Sequence, residues 1–193
     1  RQFRAGDDPK KVIIERSDRV TQEQLRQLVT ALVLSGHEIQ FRRGGELMEL
    51  LEDADAYVRV DPDTPLTREE LGTVGNFTDQ GGHVIVLAEP NRKRVDVDIF
   101  GASINEIRTD STPLAAQYGL VFGNRYLYNT ERNDGNFKNV LVRPTDAGAA
   151  EFDRSVLFTA TRVSVRPNAR DTAVIARALP STNLSAGGAA RSY

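Results

Sequence analysis

The chain has no cysteine and no tryptophan, a single methionine, and only two histidines, His37 and His83. Without cysteine, disulfides, thiolate metal ligands and cysteine nucleophiles are excluded together. Long hydrophobic runs are also missing. The longest apolar stretches, such as Val84–Ala88, are strand-sized and too short to cross a bilayer. Neither sign of charge dominates: 25 basic and 27 acidic residues leave a formal net charge of -2, so no bulk field gathers nucleic acid or an anionic membrane surface. What is present is an ordinary globular composition, 39% hydrophobic and 27% charged over 193 residues, enough for one substantial core and too little for two full-sized independent domains. The expected organisation is one α/β domain over 1–180, with a core at 11–100 and a strand-rich extension at 101–180. The stretch from Ser181 to Tyr193, rich in Gly, Ala and Ser, reads as a flexible tail or linker. Arg1 in place of Met suggests a processed product or an excised piece of a longer protein, with any anchor or signal outside it.

The first half alternates short apolar runs with amphipathic segments. Lys11–Glu15 is β-branched and bounded by polar residues, the pattern of a buried strand. Thr21 and Gln24 have capping-box spacing, and Leu25, Leu28, Val29, Leu32 and Val33 follow at helical intervals until Gly36 supplies a stop. The pattern recurs with a strand at His37–Arg42, a short helix at Glu46–Leu51 and a strand at Ala56–Val60 that ends at Asp61-Pro62. Thr67 and Glu70 form a second capping-box pair; Leu71, Val74 and Phe77 line one helix face before Gly81-Gly82 and a strand at His83–Ala88. Strands alternating with helices require crossovers, which predicts a mainly parallel sheet with helices on both faces.

Beyond residue 90 the pattern changes. Asn91–Asp98 is charged; its basic cluster Asn91-Arg92-Lys93-Arg94, followed at once by Asp96 and Asp98, reads as a solvated loop rather than a nucleic-acid site, and beyond it only Pro113–Tyr118 looks helical, with Gly119 as its cap. Asn139–Arg143, Ser155–Arg166 and Thr172–Leu179 read as strands that extend or flank the first sheet, and Asp134-Gly135 marks a turn.

Two passages carry a family resemblance: Leu66-Thr67-Arg68-Glu69-Glu70-Leu71 followed by Asn76-Phe77 through Gly81-Gly82-His83-Val84-Ile85-Val86-Leu87-Ala88, and Ser103-Ile104-Asn105 followed by Pro113 to Leu120. With the element order, they resemble a non-catalytic, membrane-associated branch of the class I glutamine amidotransferase-like superfamily. That branch comprises the DUF4350 domain and the gliding-motility auxiliary ABC-transport domain related to the intraflagellar-transport and β-galactosidase-associated domains. The resemblance covers roughly Lys11–Asn129 and implies a flavodoxin-like, amidotransferase-like fold. It also implies a membrane-anchored, extracytoplasmic setting beside transport or surface machinery, with membrane association through segments outside this chain. Active amidotransferases place a cysteine on the turn after a central strand, where this chain reads Leu87-Ala88-Glu89-Pro90-Asn91. Glutamine hydrolysis by that route is therefore excluded.

In an open parallel sheet, ligands bind beyond the carboxyl ends of the strands where strand order switches. This places Glu15, Arg16, Ser17, Asp61, Asp63, Glu89, Asn91 and Arg92 around the expected crevice. Converging carboxylates there could hydrogen-bond a sugar, bind a cation or form a general acid/base pair, although strand ends are also simply where polar side chains meet water. His37 and His83 fall at the amino ends of strands and lack neighbouring ligands at metal spacing, so both read as structural. Gly44-Gly45 reads as a turn, there being no phosphate-loop pattern. Asp96, Asp98 and Asp110 lack the glycine and terminal glutamate of a calcium loop. Phe122, Tyr126 and Tyr128 offer either a core face or a platform for a sugar ring. The resemblance, together with the missing catalytic residues, implies a non-enzymatic binding or scaffolding domain with a protein or carbohydrate partner, no metal and no cofactor. The alternative is a hydrolase or binder of a sugar-like small molecule using the strand-end carboxylates.

Overall fold

The computed structural model of the chain describes residues 9–18, 20–42, 45–62, 64–88, 93–98, 101–106, 111–148, 153, 155–158, 160–167, 169 and 172–185. The chain divides into two compact units, Arg1–Ala88 with Thr109–Gln117 and Glu89–Arg108 with Tyr118–Tyr193. The architecture is mixed α/β, with one parallel four-stranded sheet and further antiparallel sheets.

The first unit runs β1 (Lys11–Arg16), α1 (Gln22–Leu34), β2 (Glu38–Phe41), α2 (Leu47–Leu51), β3 (Ala56–Val60), α3 (Arg68–Asp79) and β4 (His83–Leu87), and later receives the short helix Thr112–Gln117. Its strands lie in the order β2-β1-β3-β4, all parallel, with Ile13 opposite Tyr57 and Glu15 opposite Arg59. The chain steps outward from β1 to β2, then back past β1 to β3. Right-handed crossovers therefore put α1 on one face and α2 and α3 on the other. Packing agrees with this: Val12, Ile14, Val58 and Val60 share one parity and form a core with Val20 and Leu25, against which Val29, Leu32, Ile39 and Phe41 pack. Ile13 and Tyr57, of the opposite parity, are fully buried, and the inward residues Leu47, Leu51, Val74 and Phe77 of α2 and α3 are buried as well. Each such side chain contributes about 1.5–3 kcal/mol through burial.

Both helix starts are built as the sequence predicts. Gln24 N–H donates to Thr21 Oγ1 at 3.2 Å while Thr21 N–H donates to Gln24 Oε1 at 2.8 Å. Thr67 and Glu70 repeat the arrangement at α3. Gly36, at φ +86°, takes the left-handed conformation that ends α1. One assignment on α1 differs. Val33 is 54% exposed because the buried stripe runs through Leu25, Val29 and Leu32, leaving Val33 at its edge.

The second unit is built from β5 (Lys93–Asp98), β6 (Gly101–Glu106), β7 (Leu120–Tyr128), β8 (Asn139–Pro144), β9 (Ser155–Phe158), β10 (Thr161–Val165), β11 (Ala176–Ala178) and β12 (Asn183–Leu184). They form the antiparallel sheets β5-β6, β10-β7-β12 and β11-β8-β9. Several expectations are corrected here. Lys93–Asp98 is not a loop but a strand paired with β6; its charges mask a period-two alternation through Val95 and Val97. Ser155–Arg166 splits into β9 and β10, which pair with β8 and β7 in different sheets. Within Thr172–Leu179 only Ala176–Ala178 is a strand. None of these strands joins the four-stranded sheet. Nor does the expected tail begin at Ser181. Asn183 and Leu184 pair with Tyr128 and Leu127, Ser185 N–H donates to Tyr126 O at 2.9 Å, and the buried Asn129 donates from Nδ2 to Ser181 Oγ at 2.9 Å. Residues 186–193 lie outside the described residues. Among the described residues, no helix is long and apolar enough to cross a membrane.

Candidate functional site

In the order β2-β1-β3-β4 the chain leaves β1 in one direction for β2 and in the other for β3, so the switch in strand order falls between β1 and β3. Loops leaving two such strands on opposite faces must part, and the carboxyl edge opens into a crevice. A cleft of ≈ 540 Å³ lies here. Glu15 and Arg16 reach it from the end of β1, Phe41 and Arg42 from the end of β2 and Arg59 from β3, with Thr64, Pro65 and Leu66 from the following loop and Glu70 from the first turn of α3.

Its floor is an ion-pair network. Arg59, 1% exposed, directs Nε and Nη2 at Glu15 Oε1, both at 3.4 Å, and donates from Nη2 to Thr64 O. Glu15 Oε2 accepts from Arg42 Nη1 at 2.8 Å and from the Tyr57 hydroxyl. Arg42 Nη2 pairs with Glu70 Oε1, and Glu70 Oε2 accepts the Thr67 N–H at 2.9 Å. The register explains the meeting: Glu15 and Arg59 are Cα partners, and Tyr57 lies two residues along the same face.

Electrostatics follow from this geometry. Burial alone would lower the Arg42 pKa, but its hydrogen bonds to Glu70 and Glu15 outweigh that and raise it. Burial alone would raise Glu70, yet the Arg42 hydrogen bond and the Thr67 N–H hold its carboxyl below the usual range. Tyr57 is pushed up by burial first and by the Glu15 charge second. The cleft therefore keeps Arg42 protonated and Glu70 ionised, and Glu15 and Glu70 both already accept hydrogen bonds. A general acid or base must exchange a proton near the working pH, which Glu70, held ionised, does not.

Of the residues expected at the crevice, Glu15 and Arg16 line it. Arg16 donates from Nη1 to the carbonyls of Ser17 at 3.1 Å and Val20 at 2.5 Å. Ser17 is buried, donates its N–H to Val60 O at 3.2 Å and does not line the cleft; its Oγ has no hydrogen-bond partner among the described residues. Asp61 does not line it either. Its backbone, at φ +43°, turns through the left-handed region, its N–H donates to Leu87 O at 2.6 Å, and the side chain is buried. Asp63, Glu89, Asn91 and Arg92 lie outside the described residues. Sequence reasoning missed Arg42, Tyr57, Arg59 and Glu70. A signal existed for Arg59, an arginine in the middle of an apolar strand, which demands a buried partner.

Elsewhere, His37 Nδ1 accepts the Lys10 N–H at 3.3 Å, and His83 is exposed at the start of β4. Both sit at the amino ends of strands. Among the described residues, no group of three or more His, Cys, Asp or Glu could hold a metal ion. In the second unit Tyr126 and Tyr128 are 6.3 Å apart at the ring centroids, Phe137 meets Tyr128 edge-on, and Lys138 Nζ lies 4.9 Å from the Tyr126 centroid.

No family model matches the chain, and no curated protein does. Among solved structures it is similar to the mmIFT52 N-terminal domain, at 18% identity and TM-score 0.61 over 81% of this chain and 69% of that one. It is also similar to a ThuA-like protein from Bacteroides uniformis, at 14% identity and TM-score 0.56 over 91% of this chain and 70% of that one. At such identities the likeness is one of fold.

Proposed function

We propose that this chain is a non-enzymatic binding or scaffolding domain on a flavodoxin-like, amidotransferase-like frame, which seats part of a partner or ligand in the cleft at the ends of β1 and β3. One observation carries the reading. Glu15 and Glu70, the two carboxylates of the network, already accept hydrogen bonds from Arg42, Arg59, Tyr57 and the Thr67 backbone. A hydrolase of sugar-like molecules would need a carboxylate free to give or take a proton, and neither meets that need. The strand order 2-1-3-4 supports the frame, as does the fold likeness to the ThuA-like protein. A membrane-associated, extracytoplasmic role linked to transport or surface machinery rests on the sequence resemblance.

The test combines binding with turnover. The purified chain is screened by thermal shift against glycans and peptides, since a ligand that binds only the native state raises its apparent stability, and is assayed with chromogenic glycosides and esters. Dose-dependent stabilisation without turnover is expected. Hydrolysis that disappears in Glu15→Gln would overturn the proposal.

A further inference from the structure

The unfilled hydrogen-bonding capacity of this cleft lies on the donor side. Glu15 and Glu70 are occupied as described, and Asp18, on the exposed rim, has an interaction of its own. Donors, by contrast, are in surplus. Arg59 uses Nε and Nη2, but Nη1, with two hydrogens, is buried and has no hydrogen-bond partner among the described residues. Among the described residues Arg16 forms no ion pair: its Nη1 donates to the Ser17 and Val20 carbonyls, and its Nε and Nη2 have no partner there. A buried donor left unmet is costly, so whatever fills the cleft gains most by bringing acceptors.

We infer that the cleft takes the carboxylate of a small organic acid, held by the Arg59 and Arg16 guanidiniums. This rests on the binding reading above and names the ligand's chemistry. Net charge selects a carboxylate over a phosphate. Among the described lining residues Arg16, Arg42 and Arg59 are matched in number by Glu15, Asp18 and Glu70, so the cleft has no surplus of positive charge to hold a dianion, and Arg16, which pairs with none of these carboxylates, suits a single negative charge. Geometry points the same way, since the planar fork of a guanidinium matches the two oxygens of a carboxylate. Phe41, Pro65 and Leu66 supply apolar wall for the rest of the molecule, and ≈ 540 Å³ lies within the range of small-molecule sites.

The test is calorimetric titration of the whole chain with two matched pairs, glucuronate against glucose and phenylacetate against 2-phenylethanol, with inorganic phosphate as a fifth probe. At least one acid is expected to bind saturably and its neutral counterpart not. Arg16→Gln should weaken that binding about tenfold or more, as loss of a charge-assisted hydrogen bond does, and Arg16→Lys should restore part of it, with circular dichroism confirming both variants folded. Equal binding of acid and neutral counterpart, full affinity in Arg16→Gln, or phosphate binding more tightly than either acid each overturns the carboxylate assignment while leaving the cleft a binding site. Binding by neither acid also overturns it. The turnover assay decides the non-enzymatic reading separately.

Discussion

Arg42→Gln removes the side chain that, among the described residues, bridges Glu15 and Glu70 of the cleft. Arg42 donates to Glu15 at 2.8 Å and to Glu70 at 2.5 Å, and the three side chains are only 15%, 15% and 23% exposed. A hydrogen bond to a charged group contributes about 1.5–3 kcal/mol. Two such bonds set the upper limit, and two features reduce it: Glu15 keeps Tyr57 and Arg59, and the partial exposure screens the charges. The expected loss is about 2–4 kcal/mol, below the full cost of breaking a completely buried pair. Urea denaturation followed by far-ultraviolet circular dichroism reads it as a lower midpoint at unchanged slope. The effect carries a pH signature. The Glu70 carboxyl is depressed in the folded state, so its contribution is present above the ordinary glutamate value of about 4.3 and lost as pH falls through the folded value. The gap between parent and Arg42→Gln should therefore narrow below about pH 4. A variant within about 0.5 kcal/mol of the parent at pH 7, the range of ordinary surface substitutions, would refute the reasoning.

Three further predictions follow from the first unit. Leu25→Ala, at a buried position of α1, should cost about 2–5 kcal/mol by denaturant titration, whereas Val33→Ala on the same helix should stay within about 0.5 kcal/mol; equal costs would mean the buried face is misassigned. Thr67→Ala removes the cap of α3 and should cost about 1 kcal/mol, with no loss at all counting against the capping box. Tyr57 is raised by burial and by Glu15, so its contribution holds below the ordinary tyrosine value of about 10 and is lost as pH rises through the folded value. Absorbance at alkaline pH should show one late-ionising tyrosine that Tyr57→Phe removes, and an unchanged titration in that variant would contradict the account.

The first unit was legible because its signals are local. β-branched runs, helical spacing and two capping boxes each lie within a few residues, and strand, helix and strand then follow in chain order. The second unit was less legible because its strands are short and pair across long separations: β7 takes partners from 161–165 and 183–184, and β8 from 155–158 and 176–178. Nothing within Ser155–Arg166 announces that its two ends belong to different sheets. The site divides in the same way. That a crevice opens at the carboxyl ends of the strands follows from topology, and Glu15 and Arg16 were found by that rule. Asp61 obeyed the rule in sequence but not in space, because its positive φ turns the backbone and its side chain is buried away from the cleft lining. Arg42, Tyr57 and Arg59 reach Glu15 across separations of 27, 42 and 44 residues, through a register that the order of elements does not specify.

The most direct test of the cleft as the binding site is a proton–nitrogen NMR titration of the labelled chain with glucuronate or phenylacetate, mapping which backbone amides move. The account predicts saturable shifts concentrated at Arg16, Ser17, Arg42, Thr64 and Leu66, with Val140 and Leu184 of the second unit unmoved. Saturable shifts centred on the second unit, or none at any concentration of either acid, would contradict it.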